Sequence, residues 1–70
     1  MNEITAGITG IIQSIEVAPG ESITVGQVVI NIESMKMIIP VEATDAGTIG
    51  EIKVSTGDFV NEGDVLVTLV

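Results

Sequence analysis

The sequence predicts an all-β domain: a small flattened β-barrel or sandwich of two sheets related by a quasi-two-fold axis. Three observations carry that expectation. The apolar residues are β-branched, with 12 Ile and 10 Val against two Leu, and such stiff side chains suit a pleated, half-buried surface better than a helix. Turn formers are frequent, with eight Gly and two Pro in 70 residues. The chain also aligns with itself, without a gap, at an offset of 37 residues.

At that offset Gly10, Ile12, Ile15, Val17, Gly20, Gly26 and Val28 recur as Gly47, Ile49, Ile52, Val54, Gly57, Gly63 and Val65. Glu21, Ile23, Val29, Ile30 and Ile32 recur conservatively as Asp58, Val60, Leu66, Val67 and Leu69. Two units, Gly10 to Ile32 and Gly47 to Leu69, each read as strand, turn, short strand, turn, strand. The first strand turns Ile15 and Val17, or Ile52 and Val54, inward by period-two alternation. Ile12 and Ile49 lie out of phase with that alternation, and a β-bulge in both copies brings them back inside. Ala18-Pro19-Gly20-Glu21 and Ser55-Thr56-Gly57-Asp58 are turns in which glycine supplies positive φ. Gly26 and Gly63 then introduce the closing strands, Val28 to Ile32 and Val65 to Leu69.

Between the units, the alternation of Val28, Ile30 and Ile32 runs into Glu33-Ser34-Met35 and resumes after Lys36. A hairpin with its tip near Met35-Lys36 follows. Pro40 cannot donate to a ladder and belongs on an edge or at a strand end. The repeat has a geometric corollary. The mate of Lys36 falls at position 73 or −1, beyond either terminus, so the lysine tip and the chain ends are expected at opposite ends of the molecule.

Composition bounds the function. Residues 1–70 have room for one domain. The chain contains no Cys and no His, which removes thiol nucleophiles, imidazole bases and the usual zinc or iron–sulfur ligands. The expectation is a non-catalytic protein. Ten acidic residues against two lysines give a formal net charge of −8, which repels nucleic acid and anionic lipid. Phe59 is the sole aromatic residue, so no stacking platform for bases exists. No apolar run reaches membrane-spanning length, and Met1-Asn2-Glu3 is not a basic signal sequence. These features predict a cytoplasmic protein without membrane insertion or a nucleic-acid partner. Asp58, Asn61, Glu62 and Asp64 lack the Asp-x-Asp-x-Asp-Gly ladder of a calcium loop and read as solvated turn residues.

The stretch Glu33-Ser34-Met35-Lys36-Met37 resembles the attachment motif of biotinyl domains, the biotin carboxyl carrier members of the biotin/lipoyl attachment family. The similarity covers nearly the whole chain. Ala6-Gly7-Ile8-Thr9-Gly10 stands where that family often has an Ala-Pro-Met-Pro-Gly type segment. Gly57-Asp58 and Gly63-Asp64 match its second-half turns, and Val65 to Val70 its closing strand. Here Gly7 and Thr9 replace the prolines, Ile38 stands where many relatives carry Glu, and the short turn from Val17 to Ile23 leaves no room for a thumb loop.

The resemblance implies a biotinyl/lipoyl-like barrel-sandwich fold with biotin attached covalently to Lys36 by a biotin protein ligase that forms biotinyl-adenylate from ATP. Met35 and Met37 are implied as flanking recognition residues, their thioethers adaptable to a partner's surface, and Glu33 opens the motif. The implied work is to carry activated carboxyl between a biotin carboxylase and a carboxyltransferase, whose catalytic groups lie outside this chain. Lys53, between Ile52 and Val54 on the outward parity of a strand, has no such motif and serves as an internal control. Two other readings share the fold. One is a lipoyl carrier of a 2-oxoacid dehydrogenase-type complex, in which an acidic and a small residue typically flank the lysine. The other is an unmodified interaction module that uses the hairpin as a protein contact.

Overall fold

The 37-residue offset reappears in the strands. A computed structural model describes residues 2–70. It contains β1 (Asn2–Thr5), β2 (Gly10–Ile15), β3 (Ser22–Ile23), β4 (Val28–Ser34), β5 (Met37–Glu42), β6 (Gly47–Ile52), β7 (Phe59–Val60) and β8 (Val65–Leu69). β2, β3 and β4 each map onto β6, β7 and β8. The predicted units also gain a strand apiece, β1 and β5, which the self-alignment had not included. No helix among the described residues is long and apolar enough to cross a membrane.

The strands form two antiparallel four-stranded sheets, ordered β1-β8-β6-β3 and β5-β4-β2-β7. Adding the offset to one order reproduces the other, so the two sheets are quasi-two-fold mates. Each unit lends its short strand to the opposite sheet: β7 pairs with β2, and β3 with β6. Backbone bonds repeat the exchange. Gly20 N donates to Ile49 O and its counterpart Gly57 N to Ile12 O, both at 2.8 Å.

The expected bulges are present in both copies. The ladder shifts between Ile12 and Ser14 on β2 and between Ile49 and Glu51 on β6. Ile12 and Ile49 consequently turn inward and are buried. A second mated pair of irregularities lies between Ile4 and Thr5 and between Val28 and Ile30. This one departs from the simple alternation read from the sequence: Val29 and Ile30 both enter the core, and Val28 stays half-buried. An extra residue in a ladder lets two neighbours share one face.

The core is itself a list of mates. Ala6/Ala43, Ile12/Ile49, Ile23/Val60, Val29/Leu66, Ile30/Val67 and Ile32/Leu69 are all buried. Around it stand four equivalent turns, each with glycine at the third position and φ between 88 and 95°. In each, the fourth residue's side-chain oxygen accepts from the first residue's N–H: Glu21 from Ala18, Gln27 from Thr24, Asp58 from Ser55 and Asp64 from Asn61. Glycine at the third position with positive φ defines a type II turn. Pro40 lies on β5, an edge strand, where a missing N–H leaves no ladder bond unmade.

The first and last rungs of the described chain, on β1 and β8, occupy the place in the first sheet that the lysine hairpin occupies in the second. Asn2 pairs with Leu69 as Ile39 pairs with Ile32.

Candidate functional site

β4 and β5 pair from Val28↔Glu42 to Ser34↔Met37, leaving Met35 and Lys36 as a two-residue turn. Both have positive φ, 53° for Met35 and 65° for Lys36. Two positive φ values in a two-residue loop make a type I′ turn, whose twist matches that of the strands it joins. Asn-Gly is the usual occupant. Two side-chain-bearing residues outside the Asn and Gly classes therefore hold a conformation that costs each about 1–2 kcal/mol.

The support beneath the turn is stiff. β4 is paired on both sides, to β2 and β5. Ile32, four residues before Lys36, is wholly buried. The backbone of Glu33 lies against Gly10, where a side chain would collide with it. The tip itself is open: Met35 is 92% exposed and Met37 62%. Lys36 is also exposed, and among the described residues no carboxylate lies within ion-pairing distance of its Nζ. An unencumbered amine at the apex of a rigid hairpin can be delivered into another protein's active site as a nucleophile.

The other lysine differs. Lys53 Nζ is paired with Glu51 Oε1 at 2.9 Å on the flank of the first sheet, away from the lysine hairpin. The turn carboxylates of Asp58 and Asp64 accept from the backbone amides of Ser55 and Asn61, the first residues of their turns. A shallow recess beside the free edge of β5 is lined by Thr5, Gly7, Ile8 and Ile39 to Glu42. Glu42 is its sole titratable group, so it presents no acid–base pair.

The structure places Glu33, Met35, Lys36 and Met37 together on one hairpin end. It also reveals neighbours that a reading along the chain passes over. Ile38 pairs with Glu33, Glu33 with Ile11, and Ile11 with Phe59. These four make one exposed row across the lysine-bearing sheet. They come from four strands, and only the ladder register identifies them as adjacent.

Comparison with known proteins gives a consistent result. A family model described as "Biotin-requiring enzyme" matches residues 1–69. The chain is 44% identical over 66 residues to the biotin/lipoyl attachment protein of Bacillus subtilis (strain 168), covering 94% of this chain and 90% of that protein. It is 36% identical over 67 residues to the biotinylated protein TB7.3 homolog of Mycobacterium leprae (strain TN), covering 96% and 94%. Among solved structures, the urea carboxylase of Kluyveromyces lactis superposes with a TM-score of 0.92 at 32% identity, covering 99% of this chain but 6% of the carboxylase.

Proposed function

The chain belongs to the biotin-requiring enzyme family, and from that footing we propose that it is a biotin carboxyl carrier domain whose biotin is joined through an amide to Nζ of Lys36. It is a non-catalytic carrier. The observation that supports Lys36 is the turn: of the two lysines, it is the one presented at a hairpin apex, exposed, between two exposed methionines. Similarity to a biotinylated protein favours biotin over lipoate, and similarity to part of a carboxylase favours carboxyl transfer.

The residues fit such a group. In the attachment step, Nζ of Lys36 attacks the acyl carbon of a biotinyl adenylate. The C–N bond forms as the C–O bond to AMP breaks, and two protons leave the nitrogen between ammonium and amide. This chain has no His and, among the described residues, places no carboxylate within ion-pairing distance of Nζ, so those protons pass to the ligase and to water. Once attached, biotin supplies a ureido nitrogen able to hold activated carboxyl. The chain then supplies a rigid post. Met35 and Met37 give an adaptable apolar collar to whichever partner closes on the tip, and Glu33 places a carboxylate behind it. Tethering raises the local concentration at each partner site; we assign those sites to a biotin carboxylase and a carboxyltransferase, and the setting to the cytoplasm. Acylation removes one of two cations, taking the formal net charge from −8 to −9.

Intact-mass spectrometry after co-expression with a biotin protein ligase tests this reading, with a lipoate ligase in a parallel arm. The parent and Lys53→Arg are expected to gain one biotinyl group, and Lys36→Arg none. Biotin uptake by Lys36→Arg, no uptake by the parent, or uptake of lipoate alone overturns it.

A further inference from the structure

Seven large apolar side chains are exposed among the described residues: Ile11, Val25, Met35, Met37, Ile38, Phe59 and Val70. Five of them belong to the lysine-bearing sheet or its hairpin. Ile38, Ile11 and Phe59 lie in one ladder row with Glu33 between the first two. The row starts two residues from Lys36 and crosses three strand spacings, about 14 Å. A clustered apolar surface of this kind marks a contact site, whereas scattered apolar residues do not.

The repeat provides a comparison within the same molecule. The pair Ile11↔Phe59 has Thr48↔Ser22 as its mate in the other sheet. The fold therefore accepts small polar residues at this position of the ladder, and burial does not require Ile and Phe: Phe59 is 65% exposed and Ile11 46%. The mate of Ile38 is position 1, outside the described residues. Beyond the apolar row the same face turns polar, where Asn31 Nδ2 donates to Ser14 Oγ at 3.1 Å and Ser14 Oγ donates to Glu16 at 2.7 Å. The apolar part is confined to the end nearest the lysine.

We infer that the Ile38–Ile11–Phe59 row is the docking surface for the enzyme that acylates Lys36, a partner whose apolar contact face is edged by basic side chains. This rests on the attachment reading above. Reach selects the ligase among the possible occupants. An enzyme acting on Nζ must come within one lysine side chain of the turn, and its body then overlies the first rungs of the hairpin. An enzyme acting on the distal end of an attached biotin stands a further acyl chain away. Charge selects the basic edge: Glu33 interrupts the row, and Glu62, whose N–H donates to Thr9 Oγ1 at 3.2 Å, borders its end. Lys53, the other lysine, is paired beside the opposite sheet, β1-β8-β6-β3.

The test is steady-state biotinylation of the unmodified chain by a biotin protein ligase with ATP and biotin. The double variant Ile11→Thr/Phe59→Ser installs the residues that the other sheet already carries. It is expected to raise KM for the chain about tenfold with kcat within twofold, as loss of a docking contact does. Val25→Ser and Val70→Ser, equally exposed but off this row, should leave both constants unchanged, and Phe59→Leu should keep the parent KM. A double-variant KM within twofold of the parent overturns the inference while leaving Lys36 as the attachment site. Phe59→Leu behaving like Phe59→Ser also overturns it. A parent that takes up no biotin overturns the attachment reading, and this inference with it. If thermal unfolding shows the double variant to be misfolded, Phe59→Ser alone carries the test, with a threefold or greater rise in KM expected and none overturning it.

Discussion

Gly10 lies against the main chain of Glu33 so closely that a Cβ on it would sit 2.5 Å from the Glu33 carbonyl oxygen and 2.6 Å from Cγ2 of Ile32. The contact braces the strand that ends in the lysine turn. Its mate, Gly47, has looser surroundings, with the nearest atom, Leu69 Cδ1, at 3.6 Å from the same position. The two glycines are identical in the repeat and should respond differently. Gly10→Ala forces backbone against backbone and is expected to cost about 1–3 kcal/mol, lowering Tm by roughly 4–8 °C per kcal/mol. Gly47→Ala makes an ordinary contact and should stay within about 0.5 kcal/mol of the parent. Thermal melts of the two variants check the asymmetry.

The turn stores strain that a conventional residue would release. Met35 holds φ of 53° and Lys36 of 65°, while Asn tolerates that region through local hydrogen bonds. Met35→Asn is therefore expected to stabilise the fold by roughly 1 kcal/mol, seen as a higher denaturant midpoint with an unchanged slope. The same substitution removes half of the methionine collar, so biotin uptake should slow. A variant that gains stability and loses no rate would show that Met35 has no part in recognition.

Much of this arrangement can be read from the sequence because the repeat makes each inference twice. Ile12 and Ile49 break alternation at the same place, and the paired bulges follow from that coincidence. Lys36 stands out because it falls in the gap between the units. The strand Asn2–Thr5 is not legible in this way: it has one buried residue, Ile4, and derives its structure from pairing with β8. The second bulge pair hides for a related reason. Val28, Val29 and Ile30 form a continuous apolar run, and such a run does not say which residue turns outward. The row through Ile11 and Phe59 is a product of register alone. Those residues lie 48 positions apart, and no local pattern joins them.

The turn carboxylates predict a chemical distinction. Asp58 Oδ2 accepts from Ser55 N at 2.9 Å and Asp64 Oδ2 from Asn61 N at 2.8 Å. A neutral amide oxygen can make the same bond, as Gln27 does in its own turn. Asp58→Asn is expected to be nearly silent, and Asp58→Ala to cost about 0.5–1.5 kcal/mol. Because these oxygens serve the backbone, adding millimolar calcium should not raise Tm in the parent. A calcium-dependent rise would assign these residues to a cation instead.

Neither unit of the repeat should fold by itself. Each sheet contains a short strand from the opposite unit. The turns are fastened the same way: Ile12 N donates to Asp58 O and Ile49 N to Glu21 O, both at 2.8 Å. A fragment of residues 1–36 would keep the β2–β4 hairpin but lose β7 and the mates that cover Ile12 and Ile30. Residues 37–70 would lose β1 and β3 from beside β8 and β6. Each fragment would expose about half of a shared core in a chain already near the lower size limit for independent folding. Circular dichroism should show both fragments unfolded alone. Equimolar mixing should restore the β signal with a concentration-dependent midpoint, because the cut at the lysine turn leaves every strand pair able to re-form. A fragment that folds unaided would show that the quasi-two-fold joins two independent halves.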